Sequence, residues 1–132
     1  MNVEFFDRED QRNPFNGLII DQKTHLLELL DQLQGRAPFF CELLGQNGYT
    51  ALVGIGGPRG CVQYSRTDGA PPYLMAVSQD PEHSREYFEF LIGNTPSPVP
   101  SRYCPPFDIV KDIAAYFQAT GERSLAVSWE EI

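Results

Sequence analysis

Basic residues are scarce in this chain: ten Lys and Arg stand against eighteen Asp and Glu in 132 residues, a formal charge of −8. Binding held mainly through phosphates draws on clustered Lys and Arg, so direct nucleic-acid binding is disfavoured. Cysteine is rarer still. Cys41, Cys61 and Cys104 are odd in number, widely spaced and without a Cys-x-x-Cys pair, which argues against a disulfide framework or a zinc site and reads as small buried apolar residues. Histidine occurs twice, His25 beside a leucine stripe and His83 in a polar segment, neither with a ligand at metal spacing. No H-E-x-x-H or G-x-S-x-G signature is present. No segment approaches the roughly 18 apolar residues that span a bilayer, and the opening MNVEFFDRED lacks a basic leader followed by an apolar stretch. These absences predict a cytoplasmic protein with no catalytic residues, no metal, no cofactor and no membrane partner.

A hydrophobic fraction of 42%, with nine Phe, six Tyr and one Trp, is rich enough for a core, and the length suits one domain over residues 1–132. Residues 2–6 read as a short strand, and DREDQRNPFNG after them reads as an exposed loop. Asp21 is placed to cap a helix whose Leu26, Leu29, Leu30 and Leu33 follow helical spacing, with Gly35 ending it. From residue 38 to 78 the period becomes two, in Phe39/Cys41/Leu43, Tyr49/Ala51/Val53/Ile55, Val62/Tyr64 and Tyr73/Met75/Val77, with turn residues between the runs. Residues 86–92 add a strand with Phe88, Phe90 and Ile92 on one face. Prolines 96, 98, 100, 105 and 106 predict an extended surface crossing rather than an element. A second helix starts near Pro106 and Asp108, buries Val110, Ile113, Ala114 and Phe117, and stops at Gly121; a last strand over 124–130 alternates Leu125, Val127 and Trp129 inward. The sum is an α+β fold: a single antiparallel sheet of about six strands with two main helices packed on one face.

The run Gly54-Ile55-Gly56-Gly57-Pro58-Arg59-Gly60 invites a phosphate-loop reading, yet it matches no phosphate-binding pattern and is followed by a strand where a helix is required, so a hairpin turn is the better account. Gly56, Gly57, Gly93, Gly121 and Trp129 are expected to be structural. Carboxylates cluster at Glu4, Asp7, Glu9 and Asp10, at Asp80, Glu82, Glu86 and Glu89, and at Glu130 and Glu131. In polar segments these acids have no burial to separate their pKa values and serve acid–base chemistry poorly, but together they form an acidic surface suited to a basic protein. Tyr87 adds an aromatic anchor. The candidate binding residues are therefore Asp80, Glu82, Glu86, Tyr87, Glu89, Glu130 and Glu131.

In order, Leu52-Val53-Gly54-Ile55-Gly56-Gly57, Asp68-Gly69, Phe88-Glu89-Phe90 with Gly93, Pro98-x-Pro100, Tyr116-Phe117-x-x-Thr120-Gly121 and Val127-x-Trp129-Glu130 make a set that resembles the Imm1 immunity proteins of bacterial polymorphic toxin systems. Members often carry a proline soon after the Thr-Gly, where this chain has Glu122-Arg123-Ser124. The resemblance implies a cytoplasmic inhibitor of one cognate secreted toxin domain, basic and plausible as a nucleic-acid deaminase, whose active site it occludes. It transfers no catalytic residues. The residues themselves leave two alternatives open, a non-catalytic adaptor and a small ligand-binding protein or enzyme with a pocket at His83, Cys61 or Cys104. They do not specify an oligomeric state.

Overall fold

Alternation of apolar side chains over residues 39–66 builds the centre of the sheet. The computed structural model describes residues 2–132. Strands β1 (Val3–Phe6), β2 (Ile19–Ile20), β3 (Phe39–Leu44), β4 (Tyr49–Ile55), β5 (Cys61–Arg66), β6 (Leu74–Ala76) and β9 (Trp129–Glu131) lie in the order β2-β1-β3-β4-β5-β6-β9, all antiparallel, and β7 (Tyr87–Ile92) and β8 (Thr95–Pro100) complete nine strands. The fold is α+β, with more strands than the six expected. One pairing is parallel: β7 meets the start of β3 at Phe39 and Leu91, on the edge that β1 occupies further along from Glu42 to Leu44.

Period-two alternation divides the sheet into two faces. Phe5, Phe39, Cys41, Leu43, Ala51, Val53, Val62 and Tyr64 form one core with the helices α1 (Lys23–Leu33) and α2 (Phe107–Thr120). Leu26, Leu29, Leu30 and Leu33 bury the predicted stripe of α1, and Val110, Ile113, Ala114 and Phe117 that of α2. The opposite face carries a second core of Cys61, Met75, Phe88, Phe90, Val99 and Cys104, because the β7–β8 hairpin curls over it. Phe90 packs against Phe40 with ring centroids 5.3 Å apart and tilted at 49°, and lies over Gly54, where a β-carbon would come 3.0 Å from its ring.

Helix termini depart from the sequence reading. Asp21 does not cap α1: Gln22 holds the N-cap position without a side-chain hydrogen bond. Gly35 does not supply a left-handed stop either, since the helix closes at Gln34 in a right-handed conformation. The Gln34 amide instead accepts from Gly56 N at 2.8 Å and donates to the Gly57 carbonyl, clamping the β4–β5 turn to the end of α1. Gly121 does end α2, with φ of 75° and its N–H on the Phe117 carbonyl at 2.7 Å. Its own carbonyl accepts from Asn47 Nδ2 at 2.8 Å and Tyr64 Oη at 3.3 Å.

The first half of the proline crossing is the strand β8, while Pro105 and Pro106 lie beyond it, with Pro106 at the N-cap of α2. Gly93 and Asn94, with φ of 57° and 63°, form a two-residue turn between Ile92 and Thr95, the geometry that suits the twist of a hairpin. In this register Thr95, Ser97 and Val99 direct their N–H groups at β7, and Ser101 continues the series by donating to Glu86 O at 2.8 Å. Pro96, Pro98 and Pro100 occupy the alternate positions, where the missing N–H would have faced outward.

Residues 7–17 are tied down. Asp7 is 1% exposed, pairs with Arg36, and accepts from Asn13 Nδ2, Glu9 N and Asp10 N. Burial pushes the Asp7 carboxyl up, but the Arg36 and Asn13 hydrogen bonds and the Arg36 charge outweigh it and hold the group below the usual carboxylate range. The final strand is shorter than the predicted 124–130. Leu125, expected inward, is 89% exposed, and Ile92 is 51% exposed.

Candidate functional site

Directly paired residues of an antiparallel ladder share a face, so Tyr87 and Glu89 stand with Pro100 and Pro98 on the outer side of the β7–β8 hairpin. Tyr87 is 50% exposed; Glu86 and Glu89 are exposed and engaged in no ion pair among the described residues. Asp80 and Glu82 lie in the segment between β6 and β7. Arg59 Nη1 donates to the Asp80 carbonyl at 2.6 Å and to the Cys104 carbonyl at 3.1 Å, while Arg59 Nη2 stands 4.0 Å from Asp80 Oδ2. Glu82 Oε1 accepts from Ser84 N at 3.2 Å and Ser84 Oγ at 3.0 Å, bonds that hold its carboxyl below the usual range.

Glu130 and Glu131 close the chain on β9. Glu130 is not a free surface acid: it pairs with Arg102 and accepts from Tyr103 Oη at 3.2 Å. Burial and then this bond to Glu130 push the Tyr103 phenol up. Glu131 is exposed. The 3-10 turn Ser101–Tyr103 joins these parts, since Ser101 N bonds to Glu86 O, Ser78 N bonds to Arg102 O at 2.7 Å, and Arg102 reaches Glu130. The candidates thus fall into three groups: Asp80 beside Arg59 with Glu82 bonded to Ser84, Glu130 held by Arg102 next to exposed Glu131, and Glu86, Tyr87 and Glu89, the most openly presented.

The glycine run after β4 is a hairpin, as the sequence indicates. Gly60 N bonds to Pro105 O at 3.0 Å and Phe107 N to Pro58 O at 3.2 Å, so the turn carries the start of α2. A β-carbon on Gly60 would run into the Gly54 carbonyl, and one on Gly56 would come 2.6 Å from the Arg36 carbonyl; Gly57 meets only ordinary contacts, and Gly93 only open space. Trp129, half-buried against the helix-side core, stacks edge-on to Tyr64 and donates Nε1 to Ser124 O at 2.9 Å.

The thiols are all buried. Burial pushes Cys41 and Cys104 up to about 12 and Cys61 well above its ordinary value, which leaves them poor nucleophiles. Among the described residues, no group of three or more His, Cys, Asp or Glu is arranged to hold a metal, and no helix is long and apolar enough to cross a membrane. His25 and His83 are exposed. Sequence reading missed a groove beside α2, between residues 77–80 and 124–127, lined by Ile109, Ile113 and Val127 with Asp80 and Asp112. Its only sequence signal is Ile109, an apolar residue off the buried stripe of α2.

The chain is a small α+β scaffold that displays acidic and aromatic side chains on its β7–β8 hairpin and its last strand. Compared with known protein families, residues 17–131 match the one described as immunity protein Imm1. The chain belongs to the Imm1 family of immunity proteins. No curated protein matches it.

Proposed function

We propose that this chain protects the cytoplasm of its cell by binding one cognate secreted toxin domain and covering that domain's active site, with no chemistry of its own. The observation that carries this reading is the family match over residues 17–131. A nucleic-acid deaminase is the proposed toxin class. An enzyme acting on nucleic acid presents a basic cleft, and a surface of carboxylates can stand in for phosphates there while the charge of −8 speeds encounter. Glu86, Glu89 and Glu131 supply charge that enters no ion pair among the described residues, Glu82 and Glu130 charge held in place by Ser84 and by Arg102, Asp80 an exposed carboxylate 4.0 Å from Arg59, and Tyr87 an aromatic contact.

The test is co-expression with the toxin domain encoded beside this chain's gene, scoring survival and co-purification together. Rescue with a stable complex is expected. Death of the cells despite folded protein and an active toxin would overturn the proposal.

A further inference from the structure

The groove beside α2 combines two properties that point to one kind of occupant. Its walls are mainly apolar, from Pro105, Pro106, Ile109, Ile113 and Val127, and Ile109 is left 37% exposed at the side. Its only charged lining residues are two carboxylates, Asp80 and Asp112, both exposed. Among the described residues no Lys or Arg lines it; Lys23 lines a neighbouring cavity that shares Asp112 and Ser124, and makes no ion pair with Asp112. Lys111, the neighbour of Asp112 on α2, turns to Asp31 on α1 at 3.2 Å. Arg59 is committed to the Asp80 and Cys104 carbonyls and to Ser78 Oγ, and comes only within 4.0 Å of the Asp80 carboxylate. Asp112 enters no ion pair among the described residues.

The volume, about 240 Å³, falls below the roughly 300–1,000 Å³ of sites for cofactors and drug-sized ligands, so a single side chain suits it better. A long cationic side chain matches both properties. Its methylenes cover apolar surface while its charged end reaches water or an acid, and an apolar groove holds such a cation well only where carboxylates compensate it. We propose that this groove anchors one arginine or lysine side chain of the toxin domain, the stem against Ile109, Ile113 and Val127 and the cation between Asp80 and Asp112. This inference rests on the immunity reading above and assigns it a contact outside the β7–β8 hairpin. Arginine is among the side chains that most often dominate binding in protein interfaces, in well-packed central pockets.

The test is calorimetric titration of the purified toxin domain into the intact wild type, the double variant Asp80→Asn/Asp112→Asn, and Ala126→Trp, which adds apolar bulk at an exposed lining position and leaves both acids in the sequence. Melting curves of each variant certify the fold, and Glu28→Gln on the exposed side of α1 serves as control. The expected result is affinity at least tenfold weaker for both groove variants and unchanged for the control. If the wild type binds and both groove variants stay within twofold of it, the groove is no anchor and the immunity reading stands alone. If only Ala126→Trp weakens binding, the occupant is apolar and the basic assignment is wrong. Failure of the wild type to bind overturns the immunity reading and this inference with it.

Discussion

One carboxylate, Asp7, organises more chain than its position in a run of polar residues suggests. It gathers Arg36, Asn13 and the N–H groups of Glu9 and Asp10, and so orders the path from β1 to β2. Its folded pKa lies below the unfolded value near 3.9. The stabilisation is therefore complete above that unfolded value and is lost as the pH falls through the folded one. Replacing Asp7 with Asn should cost about 1–3 kcal/mol at neutral pH, and the gap should narrow toward zero as the wild-type carboxyl protonates. Urea melts from about pH 7 to about pH 1.5, a range that extends well below the unfolded carboxyl value, measure it, and a gap that does not narrow at the acid end would show that the charge is not its source. At the β4–β5 turn, Gly60→Ala should destabilise by about 1–3 kcal/mol because the obstacle is backbone, whereas Gly57→Ala should change stability by less than about 0.5 kcal/mol. Both glycines look alike in the sequence, and only their neighbours in space separate them.

Among the elements, the helices and central strands were legible because each repeats its pattern within one stretch of chain. Leu26, Leu29, Leu30 and Leu33 on α1 and the alternating residues of β3 to β5 needed no distant partner to be recognised. β8 was hidden. Its prolines read as breakers, yet they alternate so that each missing donor faces outward, which protects an edge strand from pairing with another chain. Replacing Pro96, Pro98 and Pro100 together with Thr restores three outward donors and should increase self-association with concentration, followed by sedimentation velocity. Unchanged sedimentation would mean that the edge is guarded by something else. Glu9 also reaches this hairpin, accepting from the N–H groups of Gly93 and Asn94, the latter at 2.7 Å. Glu9→Ala should speed amide exchange at those two positions while leaving α2 protected.

For the whole molecule, charge is the property that belongs to no single element. Toxin association should slow as salt rises from about 50 to 500 mM, because screening shortens the reach of the field, while dissociation changes less. Stopped-flow rates across that range test it. Replacing Glu86 and Glu89 with Lys should reduce toxin protection without altering the melting curve, since both side chains are exposed; unchanged protection would remove the outer face of β7 from the interface. The acidic candidates were legible as residue types, but their standing as surface groups was not. Asp7, read as exposed, is buried in an ion pair, and Glu130, read as available, is held by Arg102 and Tyr103.

The order of side chains along this chain determined its helices, its core strands, the left-handed stop at Gly121 and its membership of a scaffold family, because each depends on spacing between near neighbours. Tertiary structure alone decided which acids are spent on the fold, that prolines 96, 98 and 100 pair with β7, and that α2 leaves a groove lined by Asp80 and Asp112. The reason is physical: a carboxylate's state is set by the groups around it in space, and the partners here, Arg36 for Asp7 and Gly93 for Glu9, lie 29 and 84 residues away along the chain.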